Sequence, residues 1–172
     1  MKKITQCLRA LSYLAISTIP ALTNAQSWQW ASAPTAIVDP GGTSAQGGSR
    51  TAGIALDAAG NTVVVGSFYG SITLGSTTLT SAGYSDIFVA RISPSSQWLQ
   101  ATRAGGPGSD VASAAISDAA GNITLTGICS NLAAFGSNTL VSSSSNYSMV
   151  FVARLAATAL ATRAPVPAEI SP

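Results

Sequence analysis

Four aspartates, Asp57, Asp86, Asp110 and Asp118, are the side chains of this sequence best suited to chemistry. Carboxylates held ~5 to 10 Å apart can run acid–base hydrolysis with no other ionisable group. The chain contains no histidine. That removes the commonest general base, the commonest neutral metal ligand and every Ser-His or Cys-His nucleophile pair, so the many serines have no base to activate them. There is no phosphate-cradling glycine loop, metal-ligand cluster or nucleophile elbow. Asp57 and Asp118 stand in two identical pentapeptides, where an Asx-type acceptor serves the turn. Asp86 is aligned with Met149 in the second copy and reads as a strand-start or surface residue. Asp110, in Gly106-Pro-Gly-Ser-Asp110, is a single loop carboxylate, whereas calcium needs many oxygen ligands. No catalytic residue, cofactor or metal site is therefore expected. Arg91 and Arg154 close equivalent strands and are expected to pair with turn carboxylates or solvent.

Recognition by stacking is the other chemistry on offer. Trp28 and Trp30 would share one strand face, and Tyr69, Tyr84 and Tyr147 fall near turns. Trp28, Trp30 and Tyr69 are the candidate ligand-binding residues, as a platform for sugars. The competing reading, which the thin core favours, is that the tryptophans fill space between sheets. The core is thin because 30 residues are alanines, which bury little area.

The elements that must position these groups come in duplicate. Asp57-Ala-Ala-Gly-Asn61 returns as Asp118-Ala-Ala-Gly-Asn122, a shift of 61. At the same shift Gly66 meets Gly127, Gly75-Ser76 meets Gly136-Ser137, and Leu79 meets Leu140. After a two-residue insertion at 142–145, Phe88-Val-Ala-Arg91 meets Phe151-Val-Ala-Arg154. Upstream, Gln29-Trp30 corresponds to Gln97-Trp98, and Gly41-Gly42 to Gly105-Gly106. Each unit reads as short strands. Residues 54–56 and 62–66 form a hairpin, with Asp57, Gly60 and Asn61, and again Asp118, Gly121 and Asn122, as structural turn residues. Residues 87–92 are apolar on both faces and need cover above and below. A further strand runs from Gln97 to Arg103. In the second copy Ile123-Thr-Leu-Thr126 alternates where the first has three valines, so one face there is expected to meet water. No helical stripe is present.

Residues 1–25 carry Lys2, Lys3, an apolar run from Leu11 to Leu22 and a small-residue ending, which is a secretory signal with cleavage after Ala25. The run is too short and too polar for a membrane span. Without it, five arginines face six carboxylates, a net charge of −1, which gives nucleic acid and anionic membranes no electrostatic footprint. Of the two cysteines only Cys129 is retained, at the place of Phe68, and reads as a small buried hydrophobe.

The segments Gly53-Ile-Ala-Leu-Asp-Ala-Ala-Gly-Asn61, Val65-Gly-Ser-Phe68, Gly83-Tyr-Ser-Asp-Ile-Phe-Val-Ala-Arg91 and Ala104-Gly-Gly-Pro-Gly-Ser-Asp110 resemble the bacterial seven-bladed beta-propeller (SBBP-type) repeat. The match runs over residues 27–155. The resemblance implies an all-β chain of four-stranded antiparallel blades, in secreted or surface proteins that often carry a type IX sorting domain, with no shared catalytic residues. Residues 26–155 would then be the repeat domain and 156–172 an Ala/Pro-rich linker or tail. Two blades cannot close a ring, since propellers need ~4 to 8. Either further blades complete the body, by self-association or in a longer protein, or the N-terminal strand completes the last sheet and two four-stranded sheets pack as a sandwich. Two functions follow: a non-enzymatic protein for binding, adhesion or surface architecture, with an extracellular glycan or protein as ligand, and a carbohydrate-active hydrolytic module built on paired aspartates.

Overall fold

The structure, a computed structural model, describes residues 27–38, 48–142 and 148–157. Residues 1–25, read above as a secretory signal, Gly41-Gly42, Tyr147 and the tail beyond 157 lie outside the described residues. Within them the chain is all-β. The strands are β1 (Ala36–Val38), β2 (Ser49–Leu56), β3 (Thr62–Phe68), β4 (Ser71–Leu74), β5 (Thr77–Thr80), β6 (Asp86–Ile92), β7 (Trp98–Ala104), β8 (Val111–Ser117), β9 (Ile123–Ser130), β10 (Leu132–Phe135), β11 (Asn138–Val141) and β12 (Ser148–Leu155).

The turn chemistry starts the sheets. Asp57 Oδ1 accepts the amides of Ala59 and Asn61, each at 2.9 Å, and Oδ2 accepts the Asn61 side-chain amide at 2.9 Å. Gly60 sits at φ 78°, a left-handed conformation costly for any residue with a Cβ, and Gly121 repeats it at 79°. β2 thereby meets β3, β3 meets β6 and β6 meets β7, giving a four-stranded antiparallel sheet in the order β2-β3-β6-β7. The second copy builds β8-β9-β12 with the same pairings, but with three strands.

Between the second and third strands of each sheet the chain makes a small hairpin, β4–β5 and β10–β11. β1 adds to the first of them, pairing Ala36 with Thr73. In the second copy Gly105, immediately after β7, makes the corresponding contact, exchanging both backbone hydrogen bonds with Ala134.

The sheets stack face to face. Val63, Val65, Ile87 and Val89 on one side of the first sheet pack against Ile123, Leu125, Cys129 and Phe151 of the second. The far side of the first sheet is closed by its own hairpin, with Phe68, Ile72, Leu74, Phe88 and Ala90 around Trp98. β6, apolar on both faces, is buried along its entire length, as a strand of that composition requires. β9 alternates buried and partly exposed residues, its threonines on the open side.

Three expectations need correction. The N-terminal strand does not complete the second sheet, because β1 is held by β4; the sandwich therefore pairs four strands with three. Trp28 and Trp30 are in no strand and fill no space between sheets: Trp28 is 97% exposed, having no neighbouring strand to lie on. Asp86 does start a strand, but is fully buried rather than on the surface.

Candidate functional site

Strand register places the four aspartates in two kinds of setting. At the hairpin turns, Arg91 Nε lies 3.0 Å from Asp57 Oδ2, and Arg154 Nη2 lies 2.6 Å from Asp118 Oδ2. Arg91 faces Val63 in the ladder, so the strand end delivers its guanidinium to the turn that opens β3. Burial of the Asp57 carboxyl opposes ionisation. Hydrogen bonds from the Asn61 side chain and from the Asn61 and Ala59 amides, with the Arg91 charge, outweigh it and hold the group below the usual carboxylate range. Hydrogen bonds from the Asn122 side chain and amide do most of the same for exposed Asp118.

A carboxylate whose folded value is depressed adds stability above its unfolded value and loses it as pH falls through the folded one. Both turns should therefore weaken on acidification below the ordinary 3.8. Urea midpoints followed downward from pH ~5 should fall less steeply for Asp57→Asn and Asp118→Asn than for the parent chain. At neutral pH, Asp57→Ala should cost about 2 kcal/mol, the scale of hydrogen bonds to a charged acceptor. The exposed Asp118→Ala should cost visibly less, because water screens its ion pair.

Asp86 and Asp110 converge at the junction between the repeats. Both are fully buried. A Cβ added to Gly105 would lie 2.8 Å from Asp110 Oδ2 and 2.8 Å from the Asp86 carboxyl carbon, so the two carboxylates flank one glycine. Asp86 accepts from the Ala82 amide at 3.3 Å and the Ser81 hydroxyl at 3.1 Å, and is ion-paired with Arg103 of β7. Asp110 Oδ2 accepts the Gly106 amide at 2.7 Å, and Oδ1 accepts the Ser130 amide at 3.2 Å. Burial pushes the Asp110 carboxyl above its usual value; the two amides oppose this, Asp86 adds to it and Arg103 offsets part of it. The group stitches the loop after β7 to the end of β9, across the boundary between the two sheets. Nearby, the Ser85 and Ser109 hydroxyls bond at 2.9 Å and the Ala112 amide donates to the Ser67 hydroxyl at 3.0 Å.

Sequence reasoning missed this junction because Asp86 and Asp110 lie in separate segments, Asp86 is aligned with Met149 in the second copy, and nothing in the spacing brings them or Arg103 together. It also missed the small hairpins. Their signal was present, since Gly75-Ser76 and Gly136-Ser137 each sit between short alternating runs, and both glycines adopt φ 64°.

Of the stacking candidates, Tyr69 is half-buried just beyond β3, whereas Trp28 and Trp30 lie in the exposed segment ahead of β1. The three make no shared platform with an assigned ring contact. A cleft of about 220 Å³ opens between the sheets, lined mainly by apolar groups such as Val89, Leu125, Phe135 and Leu155. Its charged lining residues, Arg103 and Arg154, already hold Asp86 and Asp118. Cys129 is buried, and burial followed by the Asp110 charge raises its thiol above the usual value, which disfavours the nucleophilic thiolate. Among the described residues no three His, Cys, Asp or Glu side chains could hold a metal ion. Nor is there among them a helix long and apolar enough to cross a membrane. Searches of family models and of curated proteins returned no match to this chain.

Proposed function

We propose that this chain is a secreted or cell-surface β-repeat protein that serves in binding, adhesion or surface architecture, and is not an enzyme. The observation that carries the reading is where its four described carboxylates are engaged: Asp57 and Asp118 in turns with their arginines, Asp86 and Asp110 in a buried seam. Each holds backbone in place. Two propeller-like blades of the SBBP type, carried by an exported protein of the type IX class, fit the duplicated strand order and the signal-like first 25 residues. The ligand would be an extracellular glycan or protein, with Trp28, Trp30 and Tyr69 as contact residues.

The hydrolytic reading keeps one specific support, the meeting of Asp86 and Asp110 at Gly105. Their burial and their amide and guanidinium partners weigh against it, since a working pair must reach a glycosidic bond and a water. The test is a glycan and protein array probed with the chain lacking residues 1–25, with product release assayed on every ligand found. Affinity without turnover supports the binding role. Hydrolysis that vanishes in Asp86→Asn or Asp110→Asn, with the fold retained, would overturn it. Export has its own check: mass spectrometry of the protein recovered outside the cell should find Gln26 at the amino terminus.

A further inference from the structure

We propose that copies of this chain associate head to tail, the open face of the β8-β9-β12 sheet of one copy packing on the outer side of the β2-β3-β6-β7 sheet of the next. The inference rests on the repeat reading above and names a partner, a second copy, and the two surfaces that meet. The contact between the two sheets inside the chain is the template. Ala55, Ile87 and Val89 of the first sheet pack under the second. Their counterparts Ile116, Val150 and Val152 face solvent. On the opposite side of the same contact, Ala115 of β8 packs on the first sheet and Ser117 bonds to the Leu56 carbonyl. The counterparts of these two, Ile54 and Leu56 on the outer side of β2, are again exposed. These five apolar side chains keep between 66% and 78% of their accessible surface. Part of each half of the internal interface thus recurs exposed: Ile116, Val150 and Val152 at one end of the stack, and Ile54 and Leu56 at the other, beside the hairpin-covered Phe68 and Phe88. These exposed groups lie at opposite ends of the stack, so a neighbouring copy can bring one set onto the other.

The backbone gives a second, independent reason. β7 pairs with β6, and the residue that follows it, Gly105, bonds to Ala134 of the next hairpin. β1 makes the matching contact with β4, Ala36 to Thr73, and the Gln29-Trp30 pair stands where Gln97-Trp98 opens β7. Residues 27–34 therefore hold the place of a β7 with no β6 beside it. β12, the counterpart of β6, is an edge strand with no described strand in the β7 position. Strand addition from one copy to the next satisfies both. Pro34 suits this outermost position, where a missing N–H is tolerated. At β2 and β8 the internal contact is close, with a Cβ on Gly53 only 3.1 Å from the Ala115 nitrogen. Ile116 against Leu56 is bulkier, so neighbouring copies would stand further apart there than the two sheets do. Such a heterologous contact makes a ring where the rotation closes and a filament where it does not.

The experiment is sedimentation velocity on the chain lacking residues 1–25, with circular dichroism to confirm the fold. One variant carries Val150→Lys and Val152→Lys, the other Ile54→Lys and Leu56→Lys; every altered side chain is exposed, so each variant should keep the parent's circular dichroism spectrum. The parent chain should sediment as an assembly and each variant alone as a monomer. Mixed in equal amounts, the variants should form a dimer and nothing larger, since only one intact junction remains. Deleting residues 27–34 should weaken association roughly tenfold or more with an unchanged circular dichroism spectrum. A parent chain that stays monomeric at high concentration overturns the proposal, as do variants that assemble undiminished. A mixture that remains monomeric overturns it, and one variant that assembles by itself while the other does not overturns it in favour of like-to-like pairing of the face that variant keeps. Monomeric variants that retain array binding would separate this inference from the binding role, which then stands without it.

Discussion

Gly66→Ala is expected to destabilise the chain by about 3 kcal/mol, toward the upper end of what overpacking does. Gly66 lies in the middle of β3, opposite Phe88 on β6 and Thr51 on β2. A Cβ there would collide with the Arg50 carbonyl oxygen and stand 2.6 Å from a Phe88 ring carbon. The ring cannot swing away, because Phe88 is packed edge-on to Phe68, centroids 6.4 Å apart, in the cluster closed by the hairpin. The carbonyl belongs to the neighbouring strand, so yielding would bend the ladder. Gly127, at the same place in the second repeat, meets the Val111 carbonyl and the Phe151 ring in the same way. Its alanine variant should also be destabilised, but less, since a three-stranded sheet with one open face relaxes more easily. Gly48→Ala is the control, with nothing within 4 Å of the added carbon, and should change stability little. Urea unfolding of the three variants measures this; a Gly66→Ala protein as stable as Gly48→Ala would show that β3 and β6 do not approach as described.

The second large effect is expected at the seam. Asp110→Ala leaves the Gly106 and Ser130 amides without an acceptor in a buried site. Loss of one partner from a buried charged arrangement costs about 3 to 5 kcal/mol. A drop in melting temperature of roughly 10 °C corresponds to this for a chain of such length. Asp110→Asn should recover most of the loss at neutral pH, because its oxygen still accepts one amide while the buried charge beside Asp86 is gone. The pH dependence separates the two roles of the carboxyl. Its folded value is raised, so the folded state binds the proton more tightly than the unfolded chain does, and stability falls as pH rises from the ordinary 3.8 through the raised value. The turn aspartates act in the opposite direction over the acid range. In Asp110→Asn the destabilisation on raising pH through that window should disappear. Equal melting of Asp110→Ala and the parent chain would mean that the two repeats are held together by their apolar faces alone.

Much of the local architecture was legible in particular residues. Asp57-Ala-Ala-Gly-Asn61 contains its turn completely: acceptor, left-handed glycine and a second amide donor lie within five positions, so local hydrogen bonds suffice to form it. Its return at Asp118 placed the second hairpin. The uninterrupted apolar run from Ile87 to Ile92 required cover on both sides, and the alternation from Ile123 to Thr126 required it on one. Those requirements follow from side-chain periodicity along a strand, which does not depend on what lies across from it.

What covers each face was decided only in three dimensions. Val150 and Val152 copy Ile87 and Val89 residue for residue in type, yet one pair is exposed and the other buried. The difference is whether another sheet stacks on them, which composition does not encode. Trp98 and Trp30 share a local sequence, but Trp98 is in a sheet core because β6 is beside it, and Trp30 is not. Asp86, Arg103 and Asp110 are brought together by the register of β6 against β7 and by the turn at Gly105. The chain alone thus determined strands, turns and duplication, which are short-range consequences of backbone conformation and side-chain period. Which carboxylates meet, and which apolar surfaces are left uncovered, was set by tertiary packing, because those outcomes depend on strand register and on the stacking of one sheet over another.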